Sequence, residues 1–202
     1  MPAPSRVEKT KQKILKAAFA IMAKKGVAQT TIMEVAKKSQ TSHPLVTYHF
    51  PNINQLYLGV INDILEEMRL ATVKVIEQDY ATAQELLTNY VEVLFHWGEK
   101  NRDKIQLWVY FYYLATVDQE FAVFNDQVRK VGRERIESIL LKGIAYGEFP
   151  KTPRPKMKDL TISIQGLITG NIIMAVSETN LSLKEAARVT SETAAAMVLF
   201  SK

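Results

Sequence analysis

Residues 30 to 51 read TTIMEVAKKSQTSHPLVTYHFP, a run of hydroxyls, amides and lysines holding two of the chain's three histidines and one acid, Glu34. Side chains of these types exchange hydrogen bonds with base edges and phosphate oxygens. Their spacing predicts two short helices joined by a tight turn. Such a helix-turn-helix presents its second helix to the major groove of DNA. Thr31 and Glu34 form a capping box that opens the first helix, with Ile32, Val35 and Ala36 turned inward. The second begins near Ser42, accepts Pro44 in its first turn, where amides lack intrahelical partners, and closes at Phe50-Pro51.

Within the second helix, Ser42, His43 and Pro44 stand at the N-terminal end, where recognition helices meet bases. His43 can donate to or accept from a base, and Pro44 can lie against a thymine methyl. Tyr48 and His49, at the far end, suit phosphate oxygens, which fix register without reading sequence. Val46 and Phe50 are expected to face inward. Lys38 is assigned to phosphate, so its loss should weaken binding to every sequence alike.

The charge distribution supports a polyanionic partner. Residues 1–50 hold nine Lys/Arg against two acids, a net of +7, whereas the whole 202-residue chain carries +5. A basic first quarter suits double-stranded DNA, because each neutralised phosphate releases counterions. Other chemistries find little support. Cysteine is absent, which removes disulfides and thiolate metal sites. No Walker loop, GxGxxG, GxSxG or HExxH motif occurs, so no catalytic residue, metal site or cofactor is expected. His96 falls on a polar stripe with Glu85, Asn89, Glu92 and Glu99, the pattern of a solvated helix face. The N-terminus lacks the apolar segment of a secretion signal, and no run is read as approaching a membrane span, so the cytoplasm is the expected location and no membrane partner is expected.

The elements that must position this unit read as helical nearly throughout, which makes the class all-α, with about nine helices. Ser5 and Glu8 cap a first helix carrying Ile14, Ala17, Ala18, Ile21 and Met22, and Gly26 ends it. A long amphipathic helix over 53–78 ties the basic unit to the rest through Tyr57, Val60, Ile61, Ile64, Met68 and Val75. Helices over 82–99 and 119–147 follow, with IQLWVYFYYLA (105–115) between them, apolar enough all round to predict burial on every side. A loop at PKTPRP (150–155) precedes two last helices near 157–179 and 182–201.

At this point residues 8–56 resemble the DNA-binding domain of the TetR family of transcriptional regulators. The matching residues are Ile14-Leu15, Ala17-Ala18-Phe19, Gly26, Thr30-Thr31, Val35-Ala36, Ser42, Tyr48-His49-Phe50 and Leu56. The resemblance implies phosphate contacts from Thr31, Tyr48 and His49, and base contacts from Ser42, His43, Pro44 and Thr47. It also implies that the remaining helices form an effector pocket and a dimer interface. Two positions depart from the family pattern. Gln40 replaces a turn glycine, which strains a left-handed conformation, and Ile53 replaces a lysine, which removes one phosphate contact.

The four consecutive aromatics from Tyr110 to Tyr113 cannot all share one helix face, and buried tyrosines need partners for their hydroxyls. A pocket answers both demands, with Trp97, Trp108 and Phe111 as walls and Gln106, Tyr112 and Gln165 as polar groups, suited to a small apolar or aromatic effector. In the last two helices Gly166 and Gly170, with Ile173, Ala194 and Val198, predict a close-packed interface between two copies.

The sequence is therefore read as residues 1–52, a three-helix helix-turn-helix DNA-binding domain, followed by 53–202, a helical ligand-binding and dimerisation domain. The expected function is a homodimeric repressor released from a near-palindromic operator by a small molecule. The competing readings are a DNA-bound adaptor whose larger domain binds a protein, and an all-α enzyme with an incidental helical hairpin.

Overall fold

The computed structural model describes residues 5–200, and within them the chain forms nine α-helices and no strand. They are α1 (Arg6–Lys25), α2 (Ile32–Ser39), α3 (His43–His49), α4 (Ile53–Ile76), α5 (Ala83–Lys100), α6 (Arg102–Val117), α7 (Gln119–Ala145), α8 (Arg154–Ser177) and α9 (Leu183–Leu199).

Local sequence signals account for most of the helix ends. The capping boxes Ser5/Glu8 and Thr31/Glu34 are both formed, and Ser42, Asn52, Thr82 and Ser182 each accept a first-turn amide. Gly26 ends α1 at φ 87°. The break between α5 and α6 is confined to Asn101, which lies at the end of one and the start of the other. The loop expected at 150–155 is shorter than that, because Arg154 and Pro155 belong to the first turn of α8. Proline fits there, since its missing amide would have had no intrahelical partner.

One continuous hydrophobic core joins the basic unit to the larger one. Val35, Val46, Phe50 and Leu56 pack with Ile14, Leu15 and Ala18 of α1 beneath the helix-turn-helix. Gly59 makes this docking possible: a Cβ there would stand 2.8 Å from both Leu15 and Phe50. α9 lies along α5, α4 runs between α1 and α5, and α7 packs on α6 and α8.

Two expectations are corrected here. α6 is not buried on every side; Ile105, Leu107, Trp108 and Phe111 are buried, whereas Gln106 and Tyr113 are exposed. Its outward aromatics carry hydroxyls that water can satisfy, so an apolar-looking run need not be enclosed. Second, α8 is long and apolar enough to cross a membrane by length and composition alone, with an 18-residue window of mean hydropathy 1.5. In the fold it is held to its neighbours by polar groups. Thr169 bonds Arg129, Gln165 bonds Arg129 and Arg133, and Asn171 bonds Thr190.

Candidate nucleic-acid interface and ligand cavity

The DNA-facing residues sit on one short helix and the turn before it. α3 is seven residues long and is anchored by fully buried Val46 and by Phe50. Ser42, His43 and Pro44 are exposed at its N-terminal end. Ser42 accepts the Leu45 amide at 3.3 Å, which leaves its hydroxyl hydrogen for an outside acceptor. Thr47 is half-buried and its hydroxyl donates to the carbonyls of His43 and Pro44 at 3.2 and 3.1 Å. It therefore offers a methyl group and an oxygen acceptor, not a donor.

The expected phosphate residues differ among themselves. Tyr48 is 78% exposed, and its ring meets that of half-buried His49 edge-on at 5.3 Å. Lys38 is exposed in the last turn of α2. Thr31 is occupied: its hydroxyl and its amide both donate to Glu34, at 2.8 and 3.1 Å, because it caps α2. Lys25 also bonds Glu34, and these contacts, the lysine first, hold the Glu34 carboxyl down to about 2. Leu45, 37% exposed beside Pro44, is a surface apolar group that periodicity alone did not single out.

The two departures behave differently. Gln40 is the one non-glycine with positive φ among the described residues, at φ 50° and ψ 45°. Ile53 is half-buried and packs on the core, so it braces the start of α4 where a lysine would have reached outward.

Between α4, α5, α6, α7 and α8 the larger unit holds a cavity of about 310 Å³ that opens to solvent on one side. Trp108, Tyr112 and Gln165 line it. Trp97, Gln106 and Phe111, expected beside them, do not. Trp97 is half-buried under Lys104, whose ammonium lies 5.9 Å from its ring. Gln106 faces a separate cleft between α1 and α6 with Met22 and Gly26. Phe111 is fully buried behind the wall, among Tyr112, Phe121 and Phe124. A 100° step per residue explains part of this: Trp108 and Tyr112 share a face and Gln106 lies on the opposite one, whereas Phe111 adjoins Trp108 on its other side and turns into the core.

Residues that the sequence pattern did not single out complete the cavity. Arg69, Arg129 and Arg135 line it, together with Glu66 and Thr169. Arg129 donates to Thr169 Oγ1 at 2.8 Å and lies over the Tyr112 ring at 5.2 Å. Burial raises the Tyr112 hydroxyl above its ordinary value, with Arg129 opposing that shift. Gln165 donates to the Arg129 carbonyl at 3.0 Å and accepts from Arg133 at 3.2 Å, clamping α8 to α7. Gly132 admits that clamp, since a Cβ there would stand 2.4 Å from the Gln165 amide nitrogen. A signal was available: Arg129 and Arg135 adjoin the apolar positions Val128 and Ile136 of α7.

The candidate dimer residues divide. Gly166 is exposed and Gly170 and Ile173 are half-exposed, and a Cβ on either glycine would meet nothing within 4 Å. Ile162 and Met174 of α8, Val189 of α9 and Phe200 at its end are exposed apolar residues as well. Ala194 and Val198 do not belong to it; they are 0% and 2% exposed, turned inward toward the subunit's own core. One or two positions away, Leu199 and Phe200 are exposed and Ala196 is half-exposed.

Comparison with known proteins agrees with this geometry. Residues 14–60 match the model of bacterial regulatory proteins of the tetR family. A TetR transcription regulator from Haloarcula marismortui superposes with a TM-score of 0.80 at 18% identity, covering 95% of this chain and 97% of that one. A regulator from Saccharomonospora viridis, solved in complex with choline, gives 0.76 at 19% identity over 92% and 95%. The TetR-family regulator PfmR from Thermus thermophilus gives 0.65 at 17% identity over 92% and 96%. No curated protein sequence matches the chain.

Proposed function

We propose, from the premise that this chain belongs through residues 14–60 to the tetR family of transcriptional regulators, that it is a homodimeric repressor which a small molecule in the α4–α8 cavity releases from its operator. The observation that carries the reading is the continuity of the cavity wall with the base of the DNA-reading unit. α6 supplies Trp108 and Tyr112 to the cavity, and one residue earlier its Leu107 carbonyl accepts the buried Tyr57 hydroxyl of α4. Lys104 of α6 pairs with Glu67 of α4 and lies over Phe19 of α1. A ligand that displaces α6 therefore acts on α1 and α4, whose Leu15 and Gly59 pack around Phe50 at the end of α3.

The dimer follows from the outer face of α8 and α9. Apolar residues around Gly166 and Gly170 favour close, self-complementary contact between two copies. Two recognition helices would then meet half-sites about one helical turn, roughly 34–36 Å, apart. Residues 1–52 read DNA in this account, and 53–202 bind the effector and the second copy. A DNA reader of this kind works in the cytoplasm, beside the chromosome. A cavity within the helical core favours a small molecule over the alternative of a protein bound to a filled core.

A ligand acts only through a difference in affinity between the two conformations, and such couplings typically amount to roughly 5–150-fold. The test is operator binding by the purified protein across a broad metabolite screen. The reading expects at least one cavity-binding compound to shift operator affinity within that range. Compounds that bind the cavity and leave operator affinity unchanged would overturn it.

A further inference from the structure

The cavity carries more positive charge than an apolar or aromatic effector requires. We propose that its ligand is an organic anion, with an apolar body and one carboxylate or phosphate head group held by Arg129. This rests on reading the cavity as the effector site and adds the chemical class of the effector.

Three guanidinium groups line the cavity against one carboxylate, Glu66. That carboxylate is committed, since Arg69 donates to both its oxygens at 2.5 and 2.6 Å. Arg129 and Arg135 remain, and neither forms an ion pair among the described residues. Arg135 is bonded to Thr72 at 3.4 Å and feels Glu66 electrostatically. Arg129 lacks even that, with neutral Thr169 and Tyr112 as its partners.

A guanidinium is charged at any physiological pH, and half-burying it beside an apolar space is costly unless an anion completes its hydrogen bonds. Arg129 has five donors, and the Thr169 bond and the Tyr112 face hold its fork in place before a ligand arrives. Trp108, Phe124, Val128 and Ile168 supply walls for the body of the molecule. About 310 Å³ suits one small molecule. A quaternary ammonium such as the choline bound by the Saccharomonospora viridis protein would meet uncompensated like charge here.

The test uses the full chain carrying Trp97→Phe, a residue outside the cavity, so that Trp108 is the one indole reporting. Octanoate, octyl phosphate, 1-octanol and octyltrimethylammonium are titrated, with the same four head groups on a 4-phenylbutyl body. Both anions should bind about tenfold or more tighter than the alcohol, with the ammonium weakest. The carboxylate and phosphate arms identify the head group. Arg129→Met should weaken anion binding about 10- to 100-fold and leave the alcohol within about twofold. Arg129→Lys should fall between, and decides the matter if Arg129→Met does not fold. Equal or better binding of the alcohol or ammonium, unchanged anion binding in the Arg129 variants, or no response to any probe would overturn the proposal. Operator affinity is measured in parallel. Anions that bind without moving it would overturn the effector reading and leave the ligand class standing; an alcohol that binds well and releases DNA would do the reverse.

Discussion

The phenolic hydroxyl of Tyr57 donates to the main-chain carbonyl of Leu107 at 2.6 Å, fully buried, one residue from Trp108 in the cavity wall. The Tyr57 ring also packs on Phe121 and Tyr110, at 5.8 and 5.9 Å. Burial drives its hydroxyl above the ordinary tyrosine value, so it remains a donor at every physiological pH. This contact joins α4, which follows α3 in the chain, to the helix that supplies Trp108 and Tyr112 to the cavity.

Tyr57→Phe keeps the ring and removes the bond. It should cost about 1 kcal/mol, the usual net contribution of a hydrogen bond. Urea unfolding should show a lower midpoint with an unchanged slope. An unaltered midpoint would mean that the contact contributes nothing to joining the two units.

Glu34 gives a prediction in pH. Its folded value of about 2 lies below the ordinary 4.5, owing first to Lys25 and then to Thr31. A depressed carboxyl contributes stability that is complete above about 4.5 and is lost as pH falls toward about 2. Thermal midpoints followed through that window should fall more steeply in the parent chain than in Glu34→Gln. Identical acid limbs would show that the capping box and the Lys25 pair do not stabilise the fold.

Exposed His43 and exposed Lys38 should fail in different ways. His43→Ala should cost about 1–3 kcal/mol at one base position and relax preference there. Lys38→Ala should weaken binding to all sequences alike and reduce the salt slope by about one. Titrations on matched and mismatched sites at several salt concentrations separate the two. An unchanged preferred site in His43→Ala would mean that α3 docks in another register.

Gly170 faces open space within the subunit, so Gly170→Arg should leave the fold intact and disrupt the pairing of two copies. Sedimentation should then show a monomer with parent-like helicity and weakened operator binding. A dimer of parent strength would move the interface elsewhere.

How much was legible in the sequence depended on the range of the signal. Ser5/Glu8, Thr31/Glu34 and Pro44 are local rules, and the structure follows them. Gln40 stood out as a departure and does take the left-handed conformation. Side-chain direction across helices was harder to read. Ala194 and Val198 were expected at an interface between two copies, yet they fill the subunit's own core, because α9 lies along α5. Gln106 fits a pocket by chemistry and faces away by geometry. Arg129 and Arg135 were missed because charge on a long helix normally marks solvent. Only the packing of α8 against α7 turns them toward a cavity.

The central claim, a paired reader of DNA, is tested most directly by selecting bound sequences from a random DNA pool with the purified chain. The account predicts a near-palindrome with half-site centres about 10–10.5 base pairs, or a multiple of that, apart. A single asymmetric half-site, or no enriched sequence at all, would contradict it.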